Sequence, residues 1–188
     1  MPTEREKRLA SDYREMLKIQ DQPYLSWIAT KGDLPYAEEY LMTIRIRTYV
    51  FNMKDKVCTV GVMRACTVKM TLWPSYPITP PDIRMLNIPP VFHPDWYSKG
   101  VYCSPVQWHA EDSLKDYVKT MIATLRYDPD LIETASPANY KALDWYLKHR
   151  DDPSLFPSDT TELTENSGEI RDTENAAFAE IVDQWTTG

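Results

Sequence analysis

Hydrophobic positions follow two different periodicities along the first 150 residues, and the change between them marks the predicted elements. Residues 3–20 place Leu9, Tyr13, Met16 and Leu17 on one side of a helix, which Pro23 ends. The spacing in residues 24–87 is that of short strands, at positions 26–30, 40–51, 57–72 and 82–86. Because these strands follow one another with short connections, they predict an antiparallel meander.

A long segment without regular periodicity follows at residues 87–112, and it is rich in proline. Loops of this length inside a compact domain are usually functional. One helix is then predicted to begin with Asp112 or Ser113 as its N-cap and to end at Pro129, and another to run from Ser136 as N-cap to about residue 150. The whole pattern predicts an α+β fold with an N-terminal helix, a four-stranded antiparallel meander, a long loop and C-terminal helices.

The charge of the chain is divided unevenly. The sequence is 43% hydrophobic and has no apolar run long enough for a membrane span, so we expect a globular, soluble protein. Net charge is -7, but residues 151–188 hold ten Asp and Glu against Arg171 alone, which leaves residues 1–150 slightly positive. We therefore predict one domain at 1–150 and, at 151–188, an acidic linker with a short amphipathic helix whose apolar side is Phe178, Ile181, Val182 and Trp185. Neither nucleic acid nor a membrane is an expected partner, because the body is near neutral and the last helix has acidic flanks.

The three cysteines, Cys58, Cys66 and Cys103, include no C-x-x-C pair. An odd number without that spacing fits neither a disulfide framework nor a four-ligand zinc site, so we expect a reducing, cytoplasmic location and no metal. Cys58 and Cys66 lie in strand-like sequence and are expected to be buried and inert. Cys103 follows a tight loop, which leaves two interpretations for it: a buried small side chain or a nucleophile.

The residues around Cys103 form a spaced series. A Tyr76-Pro77 pair with Pro80-Pro81 precedes the last strand, His93-Pro94-Asp95 follows it, Cys103 lies ten residues after His93, and Trp108 stands before the next helix. In this order and spacing, the series resembles the ubiquitin-conjugating enzymes over roughly residues 3–150. The resemblance implies their fold, and a domain that accepts a ubiquitin-like protein from an activating enzyme as a thioester on Cys103 and passes it to an amine of a protein target. A thioester suits this task without a cofactor, because a thiolate is a good leaving group.

The resemblance also implies roles for the neighbours of Cys103. His93, Pro94, Trp108 and Ser136 would form the scaffold of the site. Tyr97 stands where some members desolvate the attacking lysine, although an aromatic side chain packed on the loop is an equal alternative. The basic residues of the first helix correspond to the face that binds the activating enzyme, or else form an ordinary solvated helix face: Arg5, Lys7, Arg8 and Arg14.

Asp95 departs from the family, which has Asn at this position. An ionised Asp has no donor for the oxyanion that forms when an amine attacks the thioester. Three interpretations stay open: Asp95 braces the loop by accepting backbone N–H bonds, it acts as a base or charge partner for the amine, or the enzyme prefers a thiol as acceptor.

Two further departures affect what the protein is expected to do. Ser136 replaces an acidic residue that many members have, and the stretch from Cys103 to Trp108 is shorter than usual. We therefore expect a divergent member, bacterial or otherwise unusual, with a bacterial antiphage conjugation system as its setting. Two other functions are retained: a non-catalytic module that binds ubiquitin-like proteins, and a cysteine hydrolase that pairs Cys103 with His93 or His109.

Overall fold

The computed structural model describes residues 1–20, 22–54 and 57–156, with the backbone alone at 53, 54, 57 and 58. The elements follow one another as α1 (Glu4–Leu17), β1 (Leu25–Lys31), β2 (Glu39–Ile44), β3 (Thr48–Lys54), β4 (Val57–Met63), β5 (Cys66–Thr71), β6 (Asp82–Met85), α2 (Leu114–Leu125), a 3-10 turn (Pro129–Leu131) and α3 (Tyr140–His149). This order confirms the predicted α+β class.

The main sheet is antiparallel and four-stranded, in the order β1-β2-β5-β6, as predicted. Each of the two long predicted strands is in fact two strands, and β3 and β4 form a separate hairpin. The hydrophobic alternation in the sequence does not reveal the break between β2 and β3, because the alternation continues through it. Ile46, between these strands, is buried like Ile44 at the end of β2. The inward side chains of β2 and β5 pair as Tyr40 with Met70, Met42 with Val68 and Ile44 with Cys66, and they form the centre of the core.

Helix α1 packs on this core and on α2. Thr3 caps it with a reciprocal capping box that involves Glu6, which fixes its start one residue after the predicted one. The predicted apolar side needs one correction, because Leu17 is 44% exposed while Asp12 is buried. Asp12 lies inside because Arg8, one turn earlier, pairs with it at 2.7 Å.

The two C-terminal helices differ in how well they were predicted. Ser113 caps α2 as expected, accepting the Asp116 N–H at 3.3 Å. Ser136 does not cap α3; Asn139 does, by accepting the Ala142 N–H at 3.2 Å. The prediction was wrong because Glu133 organises the preceding turn, and its carboxylate accepts the Ser136 N–H at 3.0 Å.

The packed part of the chain continues six residues beyond the predicted boundary at 150. The Arg47 side chain donates to the Ser154 carbonyl, and the Tyr49 hydroxyl donates to the Leu155 carbonyl at 2.6 Å. Phe156 packs against Tyr127 and Tyr146 in a second, aromatic cluster. The rest of the predicted acidic linker and the predicted last helix lie outside the described residues. Within the described residues, no helix is long and apolar enough to cross a membrane.

Candidate active site

A glycine turn places Cys103 next to the edge strand of the sheet. The chain folds back over Tyr97 to Gly100, where the Gly100 N–H donates to the Tyr97 carbonyl at 2.8 Å. Gly100 has φ of +81°, and a Cβ there would lie 3.0 Å from the Met85 carbonyl oxygen, so only glycine suits this turn. The next residues pair with β6, since the Tyr102 N–H donates to the Ile83 carbonyl at 3.0 Å.

Cys103 is a free, partly exposed thiol. Its backbone N–H donates to the Asp95 carbonyl at 2.8 Å, which joins the segments before and after the turn. Cys66 differs in both respects: it is buried in the core, and burial raises the pKa of its thiol to about 12. This agrees with the inert role expected of Cys66, whereas the side chain of Cys58 lies outside the described part of the chain. Partial exposure is the condition that a nucleophilic Cys103 must meet.

Tyr97 lies at the surface beside Cys103 and is 48% exposed. The electrostatic interaction of the Tyr97 hydroxyl with Cys103 raises the pKa of that phenol. The phenol therefore keeps its proton and can donate to the sulfur. Tyr117, on α2, is also within the electrostatic reach of Cys103, although burial is the main cause that raises its pKa.

His93 is fully buried, so neither ring nitrogen is exposed for acid–base work at the sulfur. Its Nδ1 accepts the Asp95 backbone N–H at 3.1 Å, so that Nδ1 carries no proton. Burial lowers the pKa of the imidazole to about 3, and a contact with the Thr124 backbone offsets only part of this effect. The Tyr127 ring lies 4.2 Å from the imidazole, centroid to centroid. His93 thus holds the loop as a neutral side chain.

The Asp95 carboxyl is 1% exposed. Its Oδ1 accepts the Glu133 N–H at 3.1 Å, which is the kind of contact expected if Asp95 braces the loop. Oδ2 has no hydrogen-bond partner among the described residues, and the polar atom beside it is His93 Nδ1, at 3.7 Å. Burial raises the pKa of Asp95 to about 7; the Glu133 N–H opposes this shift, and the Glu133 charge adds to it.

Three other residues with an expected scaffold role lie in the segments around the turn. Trp108 donates from Nε1 to the Pro77 carbonyl at 2.8 Å and packs edge-on against Tyr117, so it ties the proline block to α2. The Pro94 carbonyl accepts the Asn139 N–H at 2.9 Å, which ties the loop to the start of α3. Ser136 is exposed, and its contact is with Glu133.

The four basic residues of α1 do not form one free surface. Arg5 pairs with Glu38 at 2.7 Å, and Arg8 pairs with Asp12 and also donates to the Ala110 and Asp112 carbonyls. Both guanidinium groups therefore serve the fold. Lys7 and Arg14 are exposed, and within the described part of the chain their polar contacts lie inside α1, to Glu4 and to the Ala10 carbonyl.

The two histidines suggested for a hydrolase are engaged elsewhere. His93 is buried against Asp95, and His109 is exposed with its Nδ1 3.5 Å from Asp112. Among the described residues no cluster of His, Cys, Asp or Glu could hold a metal ion. The sequence did not predict the role of Glu133, which donates its N–H to Asp95 although it lies 38 residues later in the chain. No local sequence pattern indicates a contact between residues so far apart in the sequence.

Neither a protein-family model nor a curated protein sequence matches the chain. Solved structures do match. S. cerevisiae Ubc12 superposes with a TM-score of 0.55 at 15% identity, covering 78% of this chain and 72% of that one. A putative ubiquitin conjugating enzyme from Plasmodium yoelii superposes with a TM-score of 0.51 at 16% identity, covering 83% of this chain and 90% of that one. The chain therefore has the ubiquitin-conjugating-enzyme fold.

Proposed function

We propose that the protein accepts a ubiquitin-like protein from an activating enzyme as a thioester on Cys103 and transfers it to an amine, such as a lysine, of a protein target. The fold is the one expected for this chemistry. The observation that carries the proposal is the free, partly exposed Cys103 at the end of a turn held on both sides by hydrogen bonds.

The reaction consists of two acyl transfers. The Cys103 thiolate attacks the thioester that joins the cargo to the activating enzyme. A new thioester forms on Cys103, and the cysteine of the activating enzyme leaves as a thiolate. The target amine then attacks the new thioester, an amide forms, Cys103 leaves as a thiolate and the amine proton passes to solvent. Neither step needs an imidazole beside the sulfur, which fits the positions of His93 and His109.

Tyr97 is the side chain best placed to assist the second transfer. Its phenol keeps its proton next to the Cys103 sulfur, so it can stabilise the thiolate as that group leaves. The exposed ring would also shield an incoming lysine from water. Asp95 is buried and accepts the Glu133 N–H, which supports a role in bracing the loop over direct contact with the substrate.

The activating enzyme would bind at the exposed side of α1. Lys7 and Arg14 are the basic residues available there, because Arg5 and Arg8 are committed to contacts within the fold. The cargo, the activating enzyme and the target are the three protein partners that this reaction requires.

The setting we propose is the bacterial cytoplasm, in an antiphage conjugation system. The departures at Asp95 and Ser136 and the short stretch from Cys103 to Trp108 support a divergent member of such a system. Neighbouring genes for an activating enzyme and a ubiquitin-like protein would test this setting directly.

The function is tested by incubating the protein with ATP, ubiquitin and a ubiquitin-activating enzyme, and then with other ubiquitin-like proteins and their activating enzymes. We expect an adduct that reductant removes in the wild type and that resists reductant in Cys103→Ser, because an oxygen ester replaces the thioester. Cys66→Ser is the matched control and should behave as the wild type. Stable binding of a cargo without any adduct would favour the binding module, and release of free cargo from a conjugate would favour hydrolysis.

A further inference from the structure

The Asp95 carboxyl lies in surroundings that suit a proton better than a charge. Oδ1 receives one donor, the Glu133 N–H, but Oδ2 is buried without a hydrogen-bond partner among the described residues. The atom beside Oδ2 is His93 Nδ1, and that nitrogen already accepts the Asp95 N–H. An ionised Oδ2 would therefore face a lone pair instead of a donor, and buried charge without a partner is costly.

Among the described residues, the titratable groups that interact with Asp95 supply no positive charge to balance an ionised carboxylate. His93, from the same loop, is neutral because burial lowers its pKa to about 3. Glu133, from the segment before α3, is an acid, and its charge raises the pKa of Asp95. Tyr102, after the glycine turn, and Tyr127, after α2, both have pKa values raised mainly by burial and further by the charge of Asp95.

The backbone of the same residue supports the candidate nucleophile. The Asp95 carbonyl accepts the Cys103 N–H at 2.8 Å, and the neighbouring Pro94 carbonyl accepts the Asn139 N–H at 2.9 Å. With the Glu133 contact, these bonds join three separate segments of the chain at one point. A change in the charge of Asp95 would thus act on the position of Cys103.

We propose that Asp95 is a positioning residue that works as a neutral, protonated carboxylic acid, and that loss of its proton loosens the segment that carries Cys103. In the protonated form, the carboxyl offers one acceptor and one O–H, as a side-chain amide offers an acceptor and N–H donors. The protein thereby keeps a neutral group at this buried position and makes the order of the loop depend on pH near neutrality. This inference concerns the loop itself; only its effect on acyl transfer rests on the proposed function.

The size of the effect follows from the two ionisation states. Burial raises the pKa of Asp95 to about 7 in the closed loop, whereas an opened loop would return it to about 3.9, the value of a solvated Asp. Linkage then makes opening roughly tenfold more favourable at pH 8 than at pH 6. The same opening in Asp95→Asn has no such dependence, because the amide does not titrate.

The test uses the full-length protein alone, without a ubiquitin-like protein. First, NMR follows the 13Cγ shift of Asp95 through pH, with exposed Asp144 as the internal reference. We expect a midpoint between pH 6 and 8 for Asp95, well above that of a solvated carboxyl group. A midpoint below pH 5 for Asp95 would overturn the proposal, and this readout needs no variant that must fold.

Second, hydrogen exchange of the Cys103 and Glu133 amides is measured at pH 6 and pH 8 and corrected for the intrinsic rates. We expect opening to rise on the order of tenfold in the wild type and in the control Asp144→Asn, and to stay constant in Asp95→Asn. Equal behaviour of Asp95→Asn and the wild type would show that ionisation does not loosen the loop, and the coupling would be rejected. Since neither readout involves acyl transfer, failure here and failure of the proposed function are separate results.

Discussion

Arg8 on α1 holds together three parts of the molecule, so its replacement is a strong test of the fold. Its Nε donates to Asp12 Oδ2 at 2.7 Å, and one terminal nitrogen donates to the Tyr76 hydroxyl at 3.0 Å. Other bonds go to the carbonyls of Ala110 and Asp112, before α2, and the guanidinium lies 5.3 Å from the centre of the Tyr76 ring. The side chains of Arg8 and Asp12 are 19% and 6% exposed, so this is a largely buried ion pair.

Arg8→Met keeps much of the aliphatic length and removes the charge. Removing one member of a buried pair typically costs about 3–5 kcal/mol, because the other charge stays behind without its partner. For a chain of this size, that loss corresponds to a fall in Tm of roughly 6–20 °C. The loss should be smaller at pH 5 than at pH 8, because burial already raises the pKa of Asp12 and protonation then relieves the unpaired charge.

The assay is urea unfolding at both pH values. Arg14→Met is the matched control, since Arg14 is exposed and its hydrogen bond goes to the Ala10 carbonyl of its own helix. It should change the free energy of unfolding by less than about 0.5 kcal/mol. The double variant with Asp12→Leu should be more stable than Arg8→Met alone, because no unpaired charge remains. If Arg8→Met loses less than about 1 kcal/mol, Arg8 does not join these segments, and its assignment to an activating-enzyme surface would regain support.

Three further predictions concern the site. Iodoacetamide near pH 7.5 should modify Cys103 more than about 100-fold faster than Cys66 in the folded protein, because Cys66 is buried and the pKa of its thiol is raised to about 12. Mass spectrometry of the two modified peptides measures the rates. Equal rates would show that Cys103 is not accessible. Tyr97→Phe should slow the transfer of cargo from Cys103 to free lysine several-fold, because it removes the phenol proton beside the sulfur. Tyr140→Phe, at another exposed tyrosine, is the control and should leave the rate unchanged. An unchanged rate in Tyr97→Phe would show that Tyr97 has no part in the mechanism. Between pH 5 and pH 8, Asp95→Asn should become more stable relative to the wild type by about 3 kcal/mol. The reason is that folding raises the pKa of Asp95, so the wild-type protein loses stability as the pH rises from the pKa of the unfolded state to that of the folded state. Urea unfolding measures the difference between the two proteins, and a difference that stays constant over this range would contradict the raised pKa.

Local signals in the sequence were sufficient for much of this architecture. Ser113 before an apolar series of helical spacing predicts the start of α2, and the tight loop expected before Cys103 is present as the turn at Tyr97 to Gly100. These predictions succeeded because caps, turns and periodicities depend on neighbouring residues alone.

The errors arose where distant residues decide the structure. The sequence around Arg8 is typical of an exposed basic residue on a helix. Arg8 is instead partly buried, because it donates hydrogen bonds to Tyr76 and Asp112, which lie far along the chain. Ser136 before Pro137 is a sound local cap, yet the carboxylate of Glu133 occupies that turn and leaves the cap to Asn139. The environment of Asp95 likewise depends on Glu133, which no pattern around residue 95 indicates.

The most direct test of the account is to identify the atom that carries the cargo. The wild-type protein is charged with ubiquitin by its activating enzyme and ATP, or with whichever ubiquitin-like protein forms an adduct, and is digested without reductant for tandem mass spectrometry. We predict the carboxyl-terminal remnant of the cargo on the peptide that contains Cys103, and its loss on treatment with hydroxylamine, which cleaves thioesters. A remnant on Cys58, on Cys66 or on a lysine, with Cys103 unmodified, would contradict the account.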